Sequence, residues 1–176
     1  MAIQIGAKPD SGFDDPIGML KDCHRRIENF LGILCVVVGR AQDRNLTDEE
    51  RDAVLNALQY FRTGGQRHTA DEEQSLFPRL RAANSDSIGN LERLESDHGE
   101  ANILHTSVEQ LYTTWIANKR LDAEDQRRLM GETGRLKQLY SEHIQVEETL
   151  IFALATQVLD EEAFAQVGSE FKIRRK

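Results

Sequence analysis

The motif His-x-x-x-Glu occurs twice in the chain, at His68–Glu72 and at His143–Glu147, each time inside a long helical pattern. Residues four apart on an α-helix project from nearly the same face, one turn above each other. A histidine and a glutamate stacked in this way can bind one metal ion, or one metal each of a pair. Because the two copies lie on different helices, they predict that these helices pack side by side around a buried metal site.

Length and composition favour a single all-α domain over residues 1–176. A chain of 176 residues is long enough to bury a core, and the sequence has only three prolines. Long stretches rich in Glu, Arg, Leu, Ala and Gln are typical of helices rather than of sheets. The net charge of -8 argues against nucleic acid or an anionic membrane as the main partner.

The sequence also bears on where the protein works. The segment Met1–Asp10 lacks the basic start and the apolar centre of a signal peptide. The longest apolar runs, Ile33–Val38 and Leu150–Ala155, are too short to span a bilayer. We therefore expect a cytoplasmic protein.

Four apolar stripes with helical spacing predict four long amphipathic helices with short connections, which is the pattern of an antiparallel up-down-up-down four-helix bundle. Proline at position 16, a capping box at Thr47–Glu50 and a cap at Asp122 mark helix starts. We expect the bundle to occupy about residues 16–159, with the first helix ending near 40, the second near 83 and the third beginning near 91. A loop over Asn84–Asn90, a short C-terminal helix over about 161–171 and a frayed basic tail, Lys172–Lys176, complete the predicted fold.

Two features count against an unbroken second helix. Gly64 and Gly65 lie in its middle and weaken it unless another backbone packs closely there. Pro78 should kink the helix or end it just beyond the first His-x-x-x-Glu motif.

All five histidines of the chain fall on apolar stripes, and two of them have a carboxylate one turn further on. A lone histidine in such a place is usually a hydrogen-bonded core residue. Buried carboxylates, in contrast, need compensation, and the stripes offer no Lys or Arg near Glu72 and Glu147. These two side chains therefore need a cation from elsewhere, the alternative being a neutral network of histidine and glutamate.

The candidate ligands suit a pair of transition metals. Calcium and magnesium prefer all-oxygen shells, and structural zinc sites favour four ligands rich in cysteine. Two carboxylates could bridge two irons, with two histidines on each iron and a solvent oxo or hydroxo bridge between them. Glu73 and Glu148 lie roughly 100° further around their helices and are the poorer candidates. The predicted metal ligands are His24, His68, Glu72, His98, His143 and Glu147.

Three segments together with His24 resemble the hemerythrin-like, or HHE cation-binding, family. The segments are HTADEEQSLFP (68–78), DHGE (97–100) and HIQVEETLIF (143–152). The resemblance covers about residues 16–158, and it implies a four-helix bundle with a non-haem di-iron centre that binds O2, NO or peroxide. The oxygen-carrying members have a further histidine where this chain has Asn102, and they use an aspartate bridge where it has Glu147. The set of four histidines and two glutamates in this chain looks more like that of bacterial family members tied to iron handling, NO response and di-iron repair.

His105 and Tyr140 lie near the predicted centre without belonging to it. His105 lies two turns from His98, roughly 10 Å along the axis, which is too far to share a metal, so we expect a core histidine hydrogen-bonded to a neighbouring helix. Tyr140 lies one turn before His143 and could hydrogen-bond a bound ligand, although packing alone also explains a tyrosine in the core.

Three function hypotheses follow. The first is a di-iron protein that binds O2, NO or peroxide for sensing, scavenging or iron handling. The second is an enzyme in which the same centre reduces NO or peroxide. The third is a helical interaction module with a structural metal. The first two need the same metal ligands, so the sequence does not distinguish between them. It also leaves the oligomeric state open.

Overall fold

The computed structural model describes residues 10–83 and 88–176, and their regular secondary structure is entirely helical. The all-α prediction is therefore confirmed. Nearly all of Met1–Asp10 and residues 84–87 of the expected loop lie outside the described residues, whereas residues 88–90 already belong to the third helix. None of the described helices is both long enough and apolar enough to cross a membrane.

The described residues form five helices, and three of them begin at the caps that the sequence predicts, whereas the third helix begins at Ile88 rather than near residue 91. Their bounds are α1 Pro16–Arg40, α2 48–83, α3 Ile88–Asn118, α4 123–158 and α5 Glu161–Ile173. The capping box of Thr47 with Glu50 is present at the start of α2, and the Asp122 carboxylate accepts the first free N–H groups of α4. Such caps satisfy backbone donors that have no partner within the helix.

Two of the helices contain wider π-helical turns. In α2 these turns are Phe61–Gly65 and Glu72–Leu76, and in α4 the turn is Glu147–Ile151. π-Bulges within α-helices are frequent at functional sites, and two of the three in the described part of the chain begin at the glutamate of a His-x-x-x-Glu motif. Pro78 does not end α2, which runs on to residue 83. The π-helical turn just before Pro78 shifts the backbone hydrogen-bonding register. The proline ring would clash with the preceding turn of a regular α-helix, and this shift relieves that clash.

The glycine pair lies within the first π-helical turn. A Cβ atom at Gly64 would come within 2.6 Å of the Tyr60 ring, so the tyrosine folds over this position of its own helix. A Cβ atom at Gly65 would meet Phe61 at an ordinary 3.5 Å. The close neighbours are therefore side chains of α2 itself and not the backbone of another helix.

The helices pack as an antiparallel bundle in which α1 contacts α2 and α4, and α3 contacts α4 and α2. Two apolar clusters fill its core: one includes Leu34, Tyr112 and Trp115, and the other includes Phe77 and Phe152. On each of the four helices the candidate ligands fall between residues of the two clusters. A polar layer therefore divides the core, and every helix of the bundle crosses it.

The C-terminal residues are anchored, so the expectation of a frayed tail was wrong. Helix α5 continues to Ile173, and the next two residues reach back to a buried carboxylate on α2. An Nη atom of Arg174 lies 2.8 Å from one Asp71 oxygen, and an Nη atom of Arg175 lies 2.5 Å from the other. Arg174 also donates to the Ser75 hydroxyl at 2.6 Å.

Candidate metal centre

The structure brings all six predicted ligands together in the polar layer. Helices α1 and α3 contribute one histidine each, and α2 and α4 each contribute a histidine and a glutamate from the repeated motif. Every one of the six side chains is buried. Their ligand atoms form two groups of four, and within each group the atoms lie within 4.8 Å of one another: His24, His68, Glu72 and Glu147 in the first, and Glu72, His98, His143 and Glu147 in the second.

Glu72 lies between the two groups. Its Oε1 is 3.3 Å from His68 Nε2 and 3.9 Å from His24 Nε2, while its Oε2 is 3.3 Å from His98 Nε2. The two oxygens of one carboxylate thus face histidines of different groups. This arrangement fits a bridge between two metal positions.

Glu147 joins the groups through one oxygen. Its Oε2 lies 3.1 Å from His24 Nε2 and 3.3 Å from His143 Nε2. Two ligand atoms that share a metal at about 2.1 Å are about 3 Å apart when they lie at right angles. The observed separations therefore leave room for a metal ion beside each pair.

The buried atoms that lack hydrogen-bond partners concentrate in this layer. They include both carboxylate oxygens of Glu72 and of Glu147, and the Nε2 atoms of His24 and His143. A buried polar atom without a partner costs about 1–3 kcal/mol, and such atoms are rare in folded proteins. Six of them facing one another fit a bound cation better than they fit a closed polar network.

Carboxylates on the outer side of the centre hold two of the histidines at short hydrogen-bond distances. Glu148 lies 2.8 Å from His24 Nδ1, and Glu73 lies 2.8 Å from His98 Nδ1. A carboxylate that accepts the Nδ1 proton fixes the ring and leaves Nε2 free to bind a metal. The helical spacing made these two glutamates the poorer ligand candidates, but it did not predict that each supports a histidine of another helix. The second glutamate of each motif was the available signal.

The other two histidines differ in their support. His143 has Asp97 at 3.4 Å from its Nδ1. The Nδ1 of His68 is buried without a partner, and its ring packs edge-on against His24 with centroids 5.0 Å apart. Burial and the positive charge of neighbouring His24 hold the pKa of His68 well below its usual range. His68 is therefore neutral, as a metal ligand must be.

The two glutamates titrate in opposite directions. Burial and the negative charge of Glu147 raise the pKa of Glu72 well above its usual range. Burial also acts to raise the pKa of Glu147, but the close approach and charge of His143 and His24 outweigh it and lower that pKa. Without a cation the layer therefore favours a proton on Glu72. A metal needs ionised carboxylates, so its binding releases that proton.

His105 lies outside both groups, as the sequence predicts. Its Nε2 is 3.1 Å from the Tyr140 hydroxyl on α4, and its ring packs against Phe61 with centroids 4.3 Å apart. Burial lowers the pKa of His105 to about 4. Tyr140 in turn packs near His143, with ring centroids 6.4 Å apart. Its hydroxyl pairs with His105, so the tyrosine forms part of the wall next to the centre.

Comparison with known proteins gives one informative result. No curated protein matches the chain. The sequence model of the hemerythrin HHE cation binding domain matches residues 15–155. The matched segment includes all six candidate ligands and most of the bundle, and the chain therefore belongs to the hemerythrin HHE cation-binding domain family.

Proposed function

We propose that this chain is a non-haem di-iron protein that binds O2, NO or peroxide at a carboxylate-bridged centre, in sensing, scavenging or iron handling. The observation that carries the proposal is the pair of overlapping ligand groups that share Glu72 and Glu147. Membership of a cation-binding family supports it independently.

The number of metals follows from the geometry of the shared carboxylates. Glu72 presents one oxygen to His68 and the other to His98, so one ion beside each oxygen uses both. Each position then has two imidazoles and an oxygen from each glutamate. A single ion would leave two histidines and part of both carboxylates buried without a partner.

Iron fits the chemistry of the ligands. A mixed set of imidazoles and carboxylates without thiolate suits borderline transition metals, and octahedral ions accept six ligands. Four protein ligands at each position leave room for a solvent bridge and for one small molecule. Iron in such a site would supply an open coordination position and the ability to exchange electrons with that molecule.

The remaining residues of the layer would hold the ligands in place and keep water out. Glu73 and Glu148 fix the histidines of neighbouring helices from outside. The Phe152 ring stacks on His24 with centroids 5.5 Å apart, on the side of the second apolar cluster. A dry environment strengthens the electrostatic interactions of bound ions, which favours a tightly held centre.

Spectroscopy of the reconstituted protein tests the proposal. The protein is loaded anaerobically with ferrous iron, oxidised, and examined by absorption, electron paramagnetic resonance and Mössbauer spectroscopy. The electron spins of two bridged ferric ions couple with each other. We therefore expect a Mössbauer doublet, and no electron paramagnetic resonance signal of isolated high-spin ferric ions. The signal of isolated ferric iron from the whole sample would contradict a bridged pair.

The same centre would also serve an enzyme that reduces NO or peroxide, and a cavity that borders His98 favours this second candidate because turnover needs space for small molecules next to the centre. Repeated consumption of NO or peroxide by the iron-loaded protein, with a matching supply of electrons, would identify the enzyme. Binding without turnover would support the first proposal. A metal that binds no small molecule would indicate a structural role instead.

A further inference from the structure

A cavity of about 280 Å³ lies between α2 and α3. Of the six candidate ligands, all of which the structure describes, His98 alone lines it. Beside His98 the lining includes Glu73, whose carboxylate pairs with the Nδ1 of that histidine. Tyr140 and His105, paired by their hydrogen bond, also line the cavity. The cavity therefore adjoins the group formed with His98 and His143, and not the one formed with His24 and His68.

The seam between α2 and α3 is closed unevenly. Among the described residues, four polar pairs of side chains cross it: Arg62 with Glu109 at 2.6 Å, Gln66 with Asn102 at 3.4 Å, Glu73 with His98 at 2.8 Å, and Arg81 with Glu95 at 2.6 Å. The pair of Gln66 and Asn102 is a single long hydrogen bond between exposed, neutral side chains, and both of its members line the cavity. The outer part of the cavity is thus crossed by the weakest of the four pairs, whereas the pair of Glu73 and His98 lies beside the centre.

Gly65 keeps space free in the cavity wall. Its backbone is helical, with φ −61° and ψ −47°, so its conformation does not require glycine. A glycine within a helix lowers helix stability by about 1 kcal/mol relative to alanine, so Gly65 weakens the π-helical turn that contains it. A Cβ atom there would meet Phe61 at 3.5 Å, an ordinary contact. A methyl group fits, and a longer side chain would extend into the cavity.

The opposite side of the centre is closed. His24 is 1 % exposed, and the Phe152 ring stacks on it at an angle of 11°. His68 is 3 % exposed, and its ring packs against His24. His98, at 9 %, is the most exposed of the six ligands. The two halves of the centre therefore differ in access, although their ligand types are alike.

We propose that small molecules enter between α2 and α3 and reach the metal position held by His98 and His143, and that Gly65 sets the width of this path. The proposal rests on the di-iron function proposed above and adds which half of the centre the ligand meets. A cavity of this volume holds several molecules of the size of water, each of which occupies about 30 Å³ in the liquid. Its lining is partly polar, with Thr69, Gln66 and Asn102, and so admits small neutral molecules and small anions alike.

Azide binding to the oxidised, iron-loaded protein tests the path, because azide is a small anion whose binding to ferric iron changes the absorption spectrum. Association is followed by stopped flow in the wild-type protein, Gly65→Ala and Gly65→Leu. We expect little change in Gly65→Ala and an association rate constant about tenfold lower in Gly65→Leu, since a narrowed path raises the barrier to entry. Dissociation slows to the same degree, so the equilibrium affinity for azide changes by less than about twofold.

The matched control is Gly134→Leu. Gly134 is an exposed glycine within α4, and a Cβ atom there meets nothing within 4 Å. This control should bind azide at the wild-type rate, and all three variants should retain the wild-type iron content and spectrum. A wild-type association rate in iron-replete Gly65→Leu would overturn the proposed path.

A second variant, Asn102→Ala, works in the opposite direction and decides the matter if Gly65→Leu does not fold. It removes the hydrogen bond that crosses the cavity from Gln66, and we expect azide to associate about two- to threefold faster, in keeping with a weak polar contact. An unchanged rate in Asn102→Ala would count against the path. Failure of the wild-type protein to take up iron, or to bind azide at all, would instead overturn the proposed di-iron function and this path with it.

Discussion

Two adjacent side chains of α2, Asp71 and Glu72, are both fully buried, yet they are compensated in opposite ways. Asp71 binds two cations of the chain itself, Arg174 and Arg175. The ion-pair partners of Glu72 in the described structure are histidines, and it shares the layer with a second buried carboxylate, Glu147. The buried charge of Asp71 is compensated by guanidinium groups of the chain itself. At the neighbouring position, Glu72 has no arginine or lysine partner among the described residues, so we expect its cation to come from solution.

The difference separates two kinds of sensitivity. Removing a carboxylate that has its own cation should cost folding stability, whatever the metal content. Removing a carboxylate that lacks one should cost metal binding, and stability only through the metal. Substitutions on either side of the peptide bond between Asp71 and Glu72 can therefore be compared directly.

The largest expected effect is the loss of metal from Glu72→Ala or Glu147→Ala. Each glutamate belongs to both ligand groups, so its removal damages both positions, and at least one of the two metals should be lost. Metal content by mass spectrometry after anaerobic loading measures this. Glu148→Ala is the control, since Glu148 pairs with the outer nitrogen of His24 and belongs to neither ligand group of the described residues, and it should retain both metals at saturating iron. Equal loss in the control would show that the assignment of the inner glutamates is wrong.

Asp71→Ala should lower stability by about 2 kcal/mol. Breaking a fully buried ion pair costs about 3–5 kcal/mol, and partial exposure of both arginines, 19 % and 20 %, reduces that cost. Denaturant unfolding of the wild-type protein and Asp71→Ala measures the difference with and without metal. Because the arginine pairs do not involve the centre, the difference should be the same in both states.

Chelation under anaerobic conditions gives the complementary result for the metal layer. It should lower the melting temperature of the wild-type protein, since four imidazoles and two carboxylates then stay buried without cations. In Glu72→Ala the chelator should have a smaller effect. An unchanged melting temperature in the wild-type protein would favour a neutral polar network.

Glu73→Gln should weaken metal binding without abolishing it. The carboxylate of Glu73 holds His98 through its Nδ1, and loss of such outer partners typically reduces metal affinity about 10–100-fold. Competition with a chelator of known affinity measures the change. Glu142→Gln, at an exposed residue of α4 whose polar partner is Gln138, provides the control. A wild-type affinity in Glu73→Gln would show that packing alone orients His98.

The smallest expected effect concerns His105 and pH. Burial lowers the pKa of His105 to about 4, so between that pH and the ordinary value of about 6.5 the unfolded chain binds the proton and the folded chain does not. Stability is therefore lost as pH falls through this window, by at most about 2 kcal/mol between pH 7 and pH 5. His105→Gln should lose less on acidification than the wild-type protein and should retain both metals. An identical pH dependence would show that His105 takes up its proton in the folded state as readily as in the unfolded chain.

The bundle and the inner ligands could be predicted because they depend on local spacing. An interval of four residues fixes the face that His68 and Glu72 share, and the capping box at Thr47 follows from sequence neighbours alone. The same rule indicates that His105 is too far along α3 to join the centre. These inferences need only the geometry of one helix at a time.

The structural features that the sequence did not predict depend on contacts between distant segments of the chain. Asp71 binds two arginines at the far end of the chain. The sequence near those arginines does not indicate this contact, and a frayed tail was therefore predicted there. Glu73 and Glu148 each meet a histidine of another helix, and the rotation of the helices against one another decides such pairs. The role proposed for Gly65 depends on the gap between α2 and α3, and the sequence pattern of α2 alone does not predict that gap.

The most direct test of the central claim is the metal content of the wild-type protein isolated without chelators. The claim is that the chain leaves two overlapping sites, joined by Glu72 and Glu147, without a cation of its own. Elemental analysis by mass spectrometry should give two iron-class ions per chain after loading, and at most one in Glu72→Ala. Protein that binds no metal, or that is saturated by a single zinc ion, would contradict it.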